Sequence, residues 1–141
     1  VKFKYSRVKS VLHPRTFQVN EAWIVFKLNG VPVTTGEDGD FNVIALMDAA
    51  SCFILGTEFV PAASAGLSEM EAKRLLNSGK ARKQQLPKTL YVPENLIADV
   101  LCTEAERNGI AVIRVPEEQL LVFIGEVREG FKAHIGGNGL Q

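Results

Sequence analysis

Phe41 to Pro61 reads FNVIALMDAASCFILGTEFVP: two apolar, β-branched-rich runs joined at Asp48, Ala49, Ala50 and Ser51. Apolar runs of strand length on either side of a short polar turn predict a β-hairpin, with strands over 42–47 and 52–60. Beyond it, small residues over 61–66 lead to Ser68-Glu69-Met70-Glu71. This spacing is a capping box, in which the serine hydroxyl and the glutamate satisfy each other's free backbone amides. It starts a helix with Met70, Leu75 and Leu76 as its apolar stripe, running towards Gln85 past the weak point at Gly79.

Two strand-then-helix units follow. Residues 88–92 form a short strand, Pro93 opens a helix carrying Leu96, Ile97, Val100, Leu101 and Ala105, and Gly109 caps it. A strand over 110–115 then meets Pro116, Glu117 and Glu118, acids that suit the start of a last helix with Leu120, Leu121, Phe123, Ile124, Val127 and Phe131 on its apolar side. Gly125 and Gly130 in that helix predict close packing or a bend. The helix is expected either to cover the sheet or to offer a self-association face. Upstream of the hairpin, AWIVFKL over 22–28 is apolar enough for a central strand, and VPVTTGEDGD over 31–40 reads as a loop.

The order of three strands and then alternating helices and strands predicts an α/β fold. A three-strand antiparallel meander continues through right-handed crossovers into a mixed five-stranded sheet of order 3-2-1-4-5, with helices on its faces. The chain of 141 residues suits one α/β domain over 21–135, with a basic arm or edge strand over 1–20 and a flexible tail over 136–141. It reads as a cytoplasmic protein without a membrane span. Cys52 and Cys102 have no ligand-spaced partners and read as reduced, structural thiols.

Formal net charge is zero, yet Lys2, Lys4, Arg7, Lys9 and Arg15 occupy the first twenty residues without one acid. A second basic group, Lys73, Arg74, Lys80, Arg82, Lys83 and Lys88, follows the hairpin. Such groups can meet nucleic-acid phosphates, although no aromatic residue is interleaved among the later lysines to stack on bases.

Trp23-Ile-Val-Phe26, the run VIALMDAASCFILGTEF, and the later LYVPENLIADVL and GIAVIRVP resemble the ribonuclease H-like superfamily, including integrase and transposase cores and uncharacterised bacterial domains of that fold. The resemblance spans about residues 22–131. It implies a group of carboxylates holding two divalent cations for phosphodiester chemistry. The matching places depart from that pattern. Phe26 stands where the first strand should carry its acid, with Lys27 beside it, and the acid position after the fourth strand falls on Val92 or Pro93, with Glu94 nearest.

The sequence therefore predicts a non-catalytic ribonuclease H-like domain for binding or assembly, with no catalytic residues, metal or cofactor. It would serve as one module of a larger protein, with a protein partner or a homodimer. An alternative is a nuclease or polynucleotide transferase using Mg2+ or Mn2+ on Asp48, Glu94 and either Asp99 or Asp40. A third reading is a nucleic-acid-binding module. In the structural reading, Asp48 bonds to turn backbone, Glu94 faces a helix dipole, and Asp99 and Glu104 face water. Serine-histidine or cysteine-histidine catalysis lacks support, since His13 and His134 sit near the chain ends.

Overall fold

The structure, a computed structural model, describes residues 12–37 and 39–139. Most of the predicted basic arm lies outside these residues, as do Asp38, Leu140 and Gln141. The strands are β1 (Ala22–Lys27), β2 (Val33–Thr35), β3 (Gly39–Asp48), β4 (Ile54–Pro61), β5 (Thr89–Pro93) and β6 (Ala111–Val115). The helices are α1 (Glu69–Lys83), α2 (Asp99–Arg107) and α3 (Leu121–Gly139), with 3-10 turns at Pro14–Thr16 and Glu117–Leu120.

β4 pairs antiparallel with β3, β3 antiparallel with β1, and β1 parallel with β5, which pairs parallel with β6. The five long strands thus lie in the predicted order. One element differs: Val33–Thr35, expected within a loop, forms a short strand on β3 with Val33 opposite Phe41. Phe41 also pairs with Pro61, and Ile44 pairs with both Lys27 and Glu58, so β2 continues the line of β1 on one side of β3.

β1 is buried over Ala22–Phe26 because it is central and covered on both faces, which is why it reads as an unbroken apolar run. Its alternate residues divide between two cores. Trp23 and Val25 pack with Ile44, Leu46, Leu75 and Leu101 beneath α1 and α2. Ile24 and Phe26 pack with Val43, Met47, Leu120, Phe123 and Ile124 beneath α3. α3 therefore covers the sheet, leaving Leu121 and Val122 exposed.

The capping box forms as read: Ser68 Oγ accepts from Glu71 N at 3.1 Å, and Glu71 Oε1 accepts from Ser68 N at 2.8 Å. Met70, expected in the buried stripe, is exposed, and Ala72 joins Leu75 and Leu76 inside. The helix passes Gly79 without a break. A Cβ there would lie 2.6 Å from Trp23 Cη2, so glycine lets α1 approach the indole. Gly125 and Gly130 have no such role, since a Cβ at either meets nothing within 4 Å.

Three boundaries move. The hairpin loop runs to Phe53 rather than Ser51: Asp48 N donates to Phe53 O at 3.0 Å, and Cys52 takes a left-handed φ of 59°. Pro93 closes β5 instead of opening a helix. A turn follows, and α2 begins at Asp99, because Leu96 N bonds back to Pro93 O and the first helical bond runs from Cys102 N to Ala98 O. The last helix opens through the 3-10 turn at Glu117–Leu120 and continues past Gly136, where a tail was expected, to Gly139.

Candidate functional site

β1 and β5 run parallel, so their C-terminal ends, Lys27 and Pro93, reach the same end of the sheet. A cleft of about 230 Å3 opens there. β3 contributes Asn42 and Ile44, β4 contributes Val60 and Pro61, the linker before α1 contributes Ser64, Gly66 and Leu67, and the turn after β5 contributes Asn95, Leu96, Ile97 and Ala98. Glu117, at the start of the last helical segment, completes the wall. The linker lies tightly against the turn: Gly66 has φ +104°, and a Cβ on it would sit 2.6 Å from Ile97 O. Only glycine accepts both conditions.

Strand parity decides which side chain of β1 enters the cleft. Phe26, expected at the acid position, turns to the opposite face and is buried under α3. Lys27 lies on the cleft side with Trp23 and Val25, as period-two alternation requires. The cleft side of β1 thus ends in a cation, one residue beyond the position where the resemblance implies a carboxylate.

Behind it, Arg128 of α3 ties three elements together. Its Nε donates to Lys27 O at 2.9 Å, its Nη1 donates to Glu117 Oε2 at 2.9 Å, and its guanidinium lies 5.9 Å from the Phe26 ring centroid. The hydrogen bond and charge of Arg128, assisted by Asn95 and by the charge of Lys27, hold the Glu117 carboxyl below its ordinary range. Glu117 is thereby committed to a cation of the protein itself.

The acids considered for a metal do not gather. Asp48 is fully buried at the far end of β3, opposite Trp23. Its Oδ1 accepts from Asn20 N at 2.6 Å, and its Oδ2 accepts from Ser51 N at 2.9 Å and Ser51 Oγ at 2.7 Å. Asn20 in turn accepts from Trp23 Nε1 at 2.6 Å. Asp48 thus fastens the hairpin loop to the start of β1, the turn role expected of it. Glu94 is exposed in the turn after β5, at the other end of the sheet, and not at a helix start. Asp99 pairs with Arg114 at 3.1 Å. Glu104, expected to face water, is buried and held by Arg107 and Asn108. Asp40 is exposed at the start of β3. Among the described residues no three His, Cys, Asp or Glu side chains form a metal site, so this set does not fit the two-cation arrangement the resemblance implies.

The basic group is also divided. Arg74 grips Glu58 with two bonds, at 3.0 and 2.8 Å, and Lys73 pairs with Glu69 at 3.4 Å. Lys80, Arg82, Lys83 and Lys88 cluster in sequence around the C-terminal end of α1, near the hairpin loop and away from the cleft. There the fold adds an aromatic residue missing from the local sequence: Phe53, 55% exposed, lies under the Arg82 guanidinium at 5.8 Å. Burial raises both the Cys52 and the Cys102 thiol, which disfavours the thiolate.

No family model and no curated protein matches the chain. Among solved structures it is similar to the catalytic core domain of BIV integrase, with a TM-score of 0.54 over 84% of this chain and 73% of that one, at 9% identity. The chain has a ribonuclease H-like fold. Within the ribonuclease H-like frame, Lys27, Asn42, Asn95, Glu117 and Arg128 are the residues that sequence reasoning did not assign to a site. Lys27 had one signal, a charge ending an apolar run with the parity of Trp23 and Val25. Asn42, Asn95 and Arg128 had none, because their roles depend on contacts across the sheet. No described helix is long and apolar enough to cross a membrane.

Proposed function

We propose that this chain is a non-catalytic ribonuclease H-like domain that works by binding. The observation that carries the reading is Lys27: a cation on the cleft side of β1 repels the divalent ions that phosphodiester cleavage of this type requires. The acid that lines the cleft, Glu117, is paired with Arg128. The full chain, incubated with single-stranded DNA, RNA and their hybrid in Mg2+ or Mn2+, is expected to leave all three intact. Metal-supported cleavage that Glu94→Gln abolishes overturns the reading.

A second reading is supported by Phe53 and Arg82. An exposed ring beside a guanidinium, with Lys80 and Lys83 on the same helix, offers both ingredients of single-stranded nucleic-acid binding, a stacking surface and phosphate neutralisation. Fluorescence anisotropy with a labelled oligonucleotide tests it. Affinity should fall steeply with added salt, and a flat response removes it.

A further inference from the structure

Lys27 lines the cleft half-buried, and its ammonium makes no hydrogen bond or ion pair with any described residue. The acid beside it, Glu117, bonds Arg128 through Oε2 at 2.9 Å and feels the charge of Lys27 without a hydrogen bond or ion pair to it. Asn42 uses its side-chain oxygen to accept from Asn29 at 3.0 Å, and its NH2 has no partner among the described residues. The cleft therefore presents uncommitted donors of both kinds, one charged and one neutral, next to an apolar wall of Val60, Leu96 and Ile97. Its lining carries one cation, Lys27, and one acid, Glu117, whose charge is met by Arg128 behind the cleft.

Donors without acceptors call for an anion, and a partly desolvated cation pairs with one more strongly than an exposed cation does. The size limits the occupant. About 230 Å3 is below the ~300 Å3 at which pockets for drug-sized ligands begin, so the cleft suits a headgroup on a short body. A lysine ammonium acts as a point charge for phosphate, without the planar fork that favours bidentate carboxylate.

We propose that this cleft is an oxyanion site that seats the phosphate of a small phosphate monoester on Lys27 and Asn42, with its short body against Val60, Leu96 and Ile97. The inference rests on the binding reading above and names what is bound. A phosphate monoester reaches the cleft from either of two sources, a free small molecule or the 5′-phosphate at the end of a nucleic-acid strand.

The test is a two-dimensional amide NMR titration of the full chain with glycerol phosphate, and with a trinucleotide carrying or lacking a 5′-phosphate. Saturable shifts are expected at the amides of Lys27, Asn42, Asn95 and Ala98, with a Kd of about 1 mM or tighter. Lys27→Met, which keeps the aliphatic stem, should weaken binding at least about tenfold, and Lys27→Arg should restore most of it. Unchanged shifts elsewhere in the spectrum verify that both variants fold. Equal binding of glycerol phosphate and the phosphorylated trinucleotide assigns a free ligand. Tighter binding of the phosphorylated trinucleotide alone assigns a strand end.

The proposal is overturned by absence of saturation up to about 10 mM, by the same titration curve in Lys27→Met, or by equal binding of the unphosphorylated trinucleotide. These results leave the non-catalytic reading standing. Metal-dependent cleavage removes that reading whatever the titration gives.

Discussion

The Trp23 indole on β1 fills the space that a Cβ on Gly79 of α1 would need, with Cη2 and Cζ3 at 2.6 and 2.7 Å from that position. Both ring atoms belong to a fully buried side chain whose Nε1 is held by Asn20, so the indole cannot swing aside without breaking a buried bond.

Gly79→Ala therefore sets two effects against each other. Alanine gains about 1 kcal/mol of helix propensity, while overpacking a full core costs about 1–3 kcal/mol. The expected outcome is net destabilisation of about 1 kcal/mol in urea unfolding. Gly125→Ala, where a Cβ meets nothing within 4 Å, should be stabilising by up to about 1 kcal/mol. The opposite signs of two identical substitutions check the packing account.

Asp48→Ala should act on stability and not on any catalytic rate. The substitution leaves the buried amide of Asn20 and the partly buried amide of Ser51 without their acceptor, which costs about 1–3 kcal/mol. Chemical denaturation measures it. Wild-type stability in the variant would show that the hairpin loop closes without this side chain.

The Glu117–Arg128 pair gives a pH signature with a definite sign. Because Arg128 lowers the folded-state value of Glu117, the pair's contribution is present at neutral pH and is lost as pH falls through the ordinary carboxylate range towards the lowered value. Thermal midpoints of the wild type and Glu117→Gln should differ at pH 7 and converge in acid. A gap that persists or widens below about pH 3 contradicts the assignment. Both side chains are partly exposed, at 30% for Glu117 and 21% for Arg128, so the gap at pH 7 should be modest and should narrow in high salt.

The cations of α1 should separate into two kinds. If the end of α1 binds single-stranded nucleic acid, Lys83→Gln should reduce the salt slope by about one phosphate contact, and Phe53→Ala should cost about 1–3 kcal/mol of affinity. Arg74→Gln should leave the slope unchanged and lower the thermal midpoint instead, because its guanidinium is engaged by Glu58 through two bonds. Anisotropy at two salt concentrations, together with melting curves, distinguishes them.

Much of the architecture was legible along the chain because its causes are local. The Ser68 and Glu71 side chains cap their own helix, the run from Ala22 to Phe26 is apolar throughout because both faces are covered, and the strands around Asp48 lie close in sequence. Where a local cue had two explanations, the reading slipped. Pro93 suits either a helix start or a strand end, and Val33–Thr35 is too short to carry a period of its own.

What the amino-acid order determined alone was the succession of strands and helices and the strand order of the sheet, since periodicity, caps and crossover handedness act through near neighbours and general chain geometry. Tertiary structure alone decided the site. A shift of one residue along a strand exchanges its faces, so only the register of β1 against β3 and β5 could place Lys27 in the cleft and Phe26 beneath α3. The pairing of Glu117 with Arg128, eleven residues apart, and of Phe53 with Arg82 across the hairpin loop and α1 are contacts between elements, and they exist only once the layers have packed.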